Sequence, residues 1–255
     1  MYHKFKKMQE IFVASVYLLR LFLRPVINLI LKESTMQNTK YTPIPMPRDS
    51  KYGSDYFIVK SYKLGRVIKL YSNLEFKNWL TLESDPQVIT FCEQPYKAEM
   101  LYHGQRKESI FDMWVKYKDN SEEFQEVKYS QELINKDKHA IRSQEQIEFQ
   151  TEWCRMNNVR YQIRTEGEIE CGPNHIENLL HISSRIKHYN HVQAKQFYND
   201  IQDALLIGPM SIFELSIKLH QSVGIEDFLS IIAFAIYDGI VAINIENDYF
   251  GLMRR

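Results

Sequence analysis

Phe111-Asp112-Met113-Trp114-Val115-Lys116-Tyr117, a polar break at Lys118-Asp119-Asn120-Ser121, then Glu123-Phe124-Gln125-Glu126-Val127-Lys128-Tyr129: the fold of this chain turns on this stretch. Residues 109–117 and 123–129 carry β-formers and the break between them is turn-rich, which predicts two adjacent antiparallel strands. Glu126 and Lys128, two apart, then share one face of a strand. Hydrolysis of a phosphodiester needs carboxylate oxygens to hold Mg²⁺ and a cation near the attacking water or the scissile phosphate. Asp112, Glu126 and Lys128 supply both. The plainer reading is a solvated strand face, since alternating charge around a central Val is what any half-exposed strand carries. Asp112 argues against it. The residue sits between Phe111 and Met113-Trp114-Val115, in a segment too apolar to be fully solvated, and a buried aspartate is costly unless a partner or a metal compensates it.

A third carboxylate, Glu75, stands upstream. Ser72-Asn73-Leu74-Glu75 fits the capping box S-x-x-E, in which the N3 glutamate reaches back to the N-cap backbone N–H. A helix follows over residues 73–83, read from Leu74, Trp79 and Leu82 and stopped by Asp85-Pro86. Glu75 is thus open to two readings, helix cap and metal ligand, and the two roles are compatible.

These residues carry a resemblance to a known family. Ile68-Lys69-Leu70-Tyr71-Ser72-Asn73-Leu74-Glu75, Leu82-Glu83-Ser84-Asp85-Pro86-Gln87-Val88, Glu93-Gln94-Pro95, Asp112 and Glu126-Val127-Lys128 together resemble the N-terminal domain of TnsA, the endonuclease subunit of heteromeric bacterial transposases. The likeness runs on through a helix from Gln144 to Asn157 and into Val159-Arg160-Tyr161-Gln162-Ile163-Arg164-Thr165-Glu166. It implies an α/β fold of the restriction-endonuclease-like type, a mixed sheet flanked by helices, marked by a helix glutamate, a strand Asp and a following (Glu/Gln)-x-Lys. The best-known member has Gln where Glu126 stands, and the general signature accepts Glu. By resemblance, Asp112, Glu126 and the Val127 carbonyl would bind Mg²⁺, with Mn²⁺ as a substitute. Glu75 would complete the metal site directly or through water, and Lys128 would orient or activate the attacking water. The protein would cut the 5′ strands at transposon ends while a separate DDE transposase cuts and joins the 3′ ends.

Charge bears on partners. Residues 36–170 hold 20 Lys/Arg against 21 Asp/Glu, and residues 171–255 hold 6 against 9. Neither segment has the charge of an autonomous DNA binder, because phosphate neutralisation supplies most non-specific affinity. A DNA-recognising partner is implied. The densest basic run is Lys60, Lys63, Arg66 and Lys69, readable as a phosphate contact or, more plainly, as a solvated strand edge.

At 255 residues two domains are expected, a nuclease domain over 36–170 and an interaction domain over 171–255, divided near Cys171-Gly172-Pro173. Beyond the boundary the pattern predicts helices over 174–187, 191–206, 211–220 and 225–238, then a terminal hairpin of residues 240–245 and 249–253. Helices followed by a two-stranded wing suggest a small winged-helix-type domain. The segment 225–238 contains no Lys or Arg, which disfavours major-groove readout and favours protein binding. The resemblance names that partner as the ATP-dependent regulator of transposition.

Residues 1–35 form an apolar N-terminal extension. Arg20, Arg24, Pro25 and Asn28 interrupt Ile11 to Leu31, which argues against a spanning helix, and no convincing cleavage site follows. The preferred explanation is a start codon placed too early, with Met36 opening the working protein; membrane-surface attachment and a partner-binding helix are the alternatives. Cys92, Cys154 and Cys171 are odd in number and lack C-x-x-C spacing, which fits a reducing cytoplasm and no disulfide framework. Cys171, His175, His181, His188 and His191 match no zinc spacing. Two other functions compete with the endonuclease: a non-catalytic adaptor bridging transposase and regulator, and a stand-alone restriction or repair nuclease.

Overall fold

The structure is a computed structural model that describes residues 40–46, 55–219 and 223–251. The N-terminal extension, residues 1–35, lies outside the described residues, as do Met36 and the last two residues of the expected hairpin. The strands are β1 (Phe57–Lys60), β2 (Val67–Leu70), β3 (Val88–Glu93), β4 (Lys97–Tyr102), β5 (Gln105–Ile110), β6 (Met113–Tyr117), β7 (Glu122–Val127) and β8 (Arg160–Arg164). The helices are α1 (Asn73–Ser84), α2 (Ser130–Ile134), α3 (Lys138–Met156), α4 (Glu166–Glu170), α5 (His175–His188), α6 (His191–Lys195), α7 (Tyr198–Leu205), α8 (Ile212–Leu219) and α9 (Ile225–Tyr237). The described residues belong to one compact unit.

The hairpin read from the sequence is the centre of the sheet. β6 and β7 pair antiparallel, Met113 opposite Gln125 and Lys116 opposite Glu122. The turn has a local cause: Asp119 Oδ1 accepts from the Ser121 N–H at 2.9 Å, and Asn120 takes the left-handed conformation that Asn tolerates. Around this pair the sheet runs β3-β6-β7-β8, antiparallel except for β7 and β8, which are parallel. A parallel pair needs a long crossover, and α2 and α3 provide it. The fold is therefore a mixed sheet flanked by helices, consistent with the restriction-endonuclease-like type.

Alternation along the strands sorts two cores. Met113 and Val115 face α1 with Ile68, Trp79, Leu82 and Phe91, and Leu179 of α5 closes the same cluster. Trp114 and Phe124 face the other way, onto Cys92, Phe111, Phe149 and Cys154. A third cluster, including Ile182, Ile201, Leu215, Ile231 and Phe234, belongs to the C-terminal helices.

Three expectations need correction. The segment 109–117 is not one strand: β5 ends at Ile110 and β6 begins at Met113. Phe111 and Asp112 form an irregular step because three residues, Gln94-Pro95-Tyr96, stand opposite these two: Phe111 N donates to Tyr96 O, Asp112 O accepts from Gln94 N, and Pro95 has no N–H to pair. The wing of the winged helix is also missing, since residues 240–251 contain no strand. Their backbone is held by α5 and the residue before it. The Asn178 amide donates to Ile245 O and Asp248 O at 2.7 and 2.6 Å and accepts from Phe250 N at 2.8 Å. Asn174 N and Nδ2 donate to Glu246 O and Asn247 O. Groups paired this way cannot build a cross-strand ladder. The helix expected over 191–206 is likewise two helices, because Gln196 and Phe197 donate to the carbonyls three residues back and tighten the turn.

Two members of the basic run have internal partners. Arg66 forks onto Glu93 with both N···O distances at 2.6 Å, and Lys63 Nζ donates to Asp85 O and Val88 O. They fasten the β1–β2 hairpin to the sheet, whereas Lys60 and Lys69 are exposed. Arg66→Ala strands the buried Glu93 carboxylate, so the expected loss is about 3 kcal/mol by urea unfolding. Lys69→Ala is expected to cost less than about 0.5 kcal/mol. Equal effects would contradict this division of roles.

Candidate active site

Asp112 occupies the step between β5 and β6, anchored by the wholly buried Phe111 on one side and Met113 on the other. Its Oδ2 accepts from the Val127 N–H at 2.8 Å, tying it to the end of β7. Glu126, one residue earlier on β7, has no exposure at all. Three donors hold it: Gln146 Nε2 and Lys128 Nζ, each 2.8 Å from Oε1, and Gln150 Nε2, 2.9 Å from Oε2. The sheet thus brings Asp112, Glu126, Val127 and Lys128 into one place, and the Glu126–Lys128 ion pair follows from their spacing along one strand face.

Glu75 comes from the opposite wall. Ser72 Oγ accepts from the Glu75 N–H at 3.1 Å, as a capping box requires, but the Glu75 carboxylate reaches one residue further back, to Tyr71 N at 3.0 Å. The carboxylate is buried and also lines the cleft. That cleft, about 470 Å³, is lined by Glu75, Asp112, Val127 and Lys128, with Arg142 and His139 of α3 and Glu132 of α2 at its side. Glu126 lies outside this lining. A second cleft of about 570 Å³, near Pro86, Tyr117, Arg164 and Ile243, gathers no comparable set; Asp85, its single acid, accepts from Gln87 N.

The electrostatics follow from this packing. Burial, and then the nearby Asp112 charge, push the Glu126 carboxyl well above the usual carboxylate range against the pull of Lys128. Burial opposes the Lys128 ammonium, but the Glu126 and Asp112 carboxylates outweigh it and hold its pKa above the usual lysine value. Lys128 is therefore a donor and a fixed positive charge rather than a free base. Burial, with the Glu126 and Asp112 charges, also raises the Tyr161 phenol, keeping its hydroxyl protonated.

Two close carboxylates, one of them penalised by burial, form a donor set that suits a hard divalent cation, particularly Mg²⁺, which is commonly held by one or two carboxylates plus waters. Among the described residues, no group of three or more His, Cys, Asp and Glu side chains is disposed to hold a metal, so backbone and water oxygens would have to complete the shell. The same observation covers Cys171 and His175, His181, His188 and His191, which do not converge. Cys92 and Cys154 are buried free thiols pushed up to about 12 by burial, hence unreactive as nucleophiles.

The sequence reading missed Gln146 and Gln150. Their signal was faint: two glutamines four apart on a mostly polar helix, which is ordinary until the strand they face is known.

Residues 85–166 match the family model described as TnsA-like endonuclease N terminal. Over that segment the chain is similar to a TnsA-like endonuclease N-terminal domain. The matched segment runs from the end of α1 to the first residue of α4 and contains Asp112, Glu126 and Lys128; Glu75 lies before it. The TnsA-like match supports a nuclease role in transposition. Among curated proteins none matches the chain. No helix among the described residues is long and apolar enough to cross a membrane.

Because folding raises the Glu126 pKa above its ordinary 4.5, this group's contribution to stability is complete below that pH and is lost as pH rises through the raised value. In chelator, wild type is expected to lose stability relative to Glu126→Gln by up to about 1.4 kcal/mol per pH unit between pH 4.5 and about 7, and no further above that. Parallel stability–pH curves for the two proteins would refute the assignment.

Proposed function

We propose that this protein is a Mg²⁺-dependent endonuclease that cuts the 5′ strands at transposon ends, acting with a DDE transposase and an ATP-dependent regulator. The observation that carries the reading is the meeting of Asp112 and Lys128 at one cleft through the β6–β7 hairpin, with the buried Glu126 paired to Lys128, inside the segment matched by the TnsA-like model. Asp112, Glu126 and the Val127 carbonyl would hold the ion, with Glu75 completing the site directly or through water. When bound, the ion supplies Lewis-acid polarisation of the scissile phosphate and lowers the pKa of its water.

The chain's own residues supply the rest. Lys128, kept as an ammonium by its carboxylate neighbours, orients the attacking water and offsets charge that develops on the phosphate. Arg142, on the cleft wall, is placed to meet a backbone phosphate. Asp112 holds Val127 in register, so the carbonyl and the two acids stay on one rigid unit.

Partner dependence rests on charge and exposure. The near balance of charge over residues 36–170 gives little unaided grip on DNA. Residues 171–255 form the segment we read as the contact for other subunits. Leu206 and Ile207 are 83% and 80% exposed, and Phe213 and Ile217, four apart on α8, are each 53% exposed.

The test is strand-specific cleavage of transposon-end DNA with Mg²⁺, the transposase and the regulator. Asp112→Ala and Lys128→Ala are each expected to reduce 5′-strand cutting by roughly 10²–10³-fold while leaving 3′-strand cutting intact. Undiminished 5′ cutting by both variants, in a reaction that requires this protein, would leave it an adaptor.

A further inference from the structure

This inference rests on the metal site proposed above and concerns how that site is built. Gln150 lies on α3 with no exposure, against the Phe149 and Phe124 core, where an apolar side chain would be the cheaper filling. It is instead fully engaged. Its Nε2 donates to Glu126 Oε2 at 2.9 Å and to Ser109 Oγ at 3.0 Å, and its Oε1 accepts from the Tyr161 hydroxyl at 2.6 Å. Gln146, one turn earlier on the same face, donates to Glu126 Oε1 at 2.8 Å and to Ser109 Oγ at 3.3 Å. Both glutamines therefore turn their amide nitrogens to the same carboxylate, one to each oxygen.

We propose that Gln146 and Gln150 are positioning residues that hold the Glu126 carboxylate beside Asp112 for a divalent cation, with Tyr161 fixing the orientation of Gln150. The physical case separates two kinds of partner. The amide donors are neutral: they fix the carboxylate without cancelling its charge, and each leaves lone pairs on the oxygen it serves. Lys128 is charged and shares Oε1 with Gln146, so it competes with a cation for the same oxygen. The glutamines remain useful when a cation arrives, whereas the Lys128 contact is the one to be exchanged. Tyr161 decides which end of the Gln150 amide faces Glu126. Its hydroxyl donates to Oε1, and the nitrogen is left for the carboxylate. The parts come from α3, β7 and β8, the crossover and the two parallel strands it connects.

The experiment is isothermal titration of Mn²⁺ into the metal-stripped full chain, without DNA, for wild type, Gln146→Met, Gln150→Met, Tyr161→Phe and Asp112→Ala. Thermal unfolding establishes that each variant is folded. Removing a partner that orients a metal-binding carboxylate typically weakens affinity ten- to hundredfold, and about that loss is expected for each Gln→Met change. Tyr161→Phe should weaken Mn²⁺ binding less in wild type and add nothing in the Gln150→Met background, because both changes act on one chain of bonds. Wild-type affinity in folded Gln146→Met and Gln150→Met, alongside loss of binding in Asp112→Ala, would overturn this inference and leave the metal site standing. Should the methionine variants fail to fold, unchanged affinity in Tyr161→Phe overturns it. Wild-type affinity in Asp112→Ala would sink the metal-site reading itself.

Discussion

A carboxylate with no contact to solvent must be either neutralised or surrounded by donors, and Glu126 makes this demand at the centre of the sheet. Around it stand Lys128 from its own strand, Gln146 and Gln150 from the crossover helix, and the Asp112 charge, which works against it. Each of these has a place because of the topology. The antiparallel β6–β7 pair brings the step at Asp112 to the end of β7. The parallel β7–β8 pair obliges the chain to cross over, and the helix that crosses carries the amide donors across the face on which Glu126 lies.

Asp112 and Glu126 would repel each other at no benefit in a protein that needed only a stable sheet. Replacing such a buried pair with apolar residues is often neutral or stabilising. Two acids kept together, with a lysine beside them and an open cleft alongside, are better explained by chemistry that uses charge than by folding. The TnsA-like match to the same segment agrees with this physical argument without having been part of it.

What could be read in the sequence was local. The turn at Asp119-Asn120-Ser121, the Ser72 cap of α1 and the shared face of Glu126 and Lys128 depend on residues within a few positions of one another. Glu75 was open to two readings, helix cap and metal ligand: its carboxylate binds Tyr71 N at the helix start and also lines the cleft, where ligation is part of the proposal. The rest needed long-range partners. Nothing near residues 240–251 announces that Asn178, some 70 positions earlier, takes their backbone groups and prevents a wing. Phe111 and Asp112 read as strand because strand formers flank them, yet three residues, Gln94-Pro95-Tyr96, stand opposite these two and break the regular ladder. Gln150 is informative only through Tyr161 and Glu126, one across each side of the amide.

The central claim is that Asp112 and Glu126 share one divalent cation. Anomalous scattering from crystals of the protein grown with Mn²⁺ tests it most directly. The account predicts a manganese peak in contact with both carboxylates, at the β6–β7 end of the cleft. A peak elsewhere, with Glu126 still paired to Lys128 and Asp112 still bonded to Val127, would contradict it.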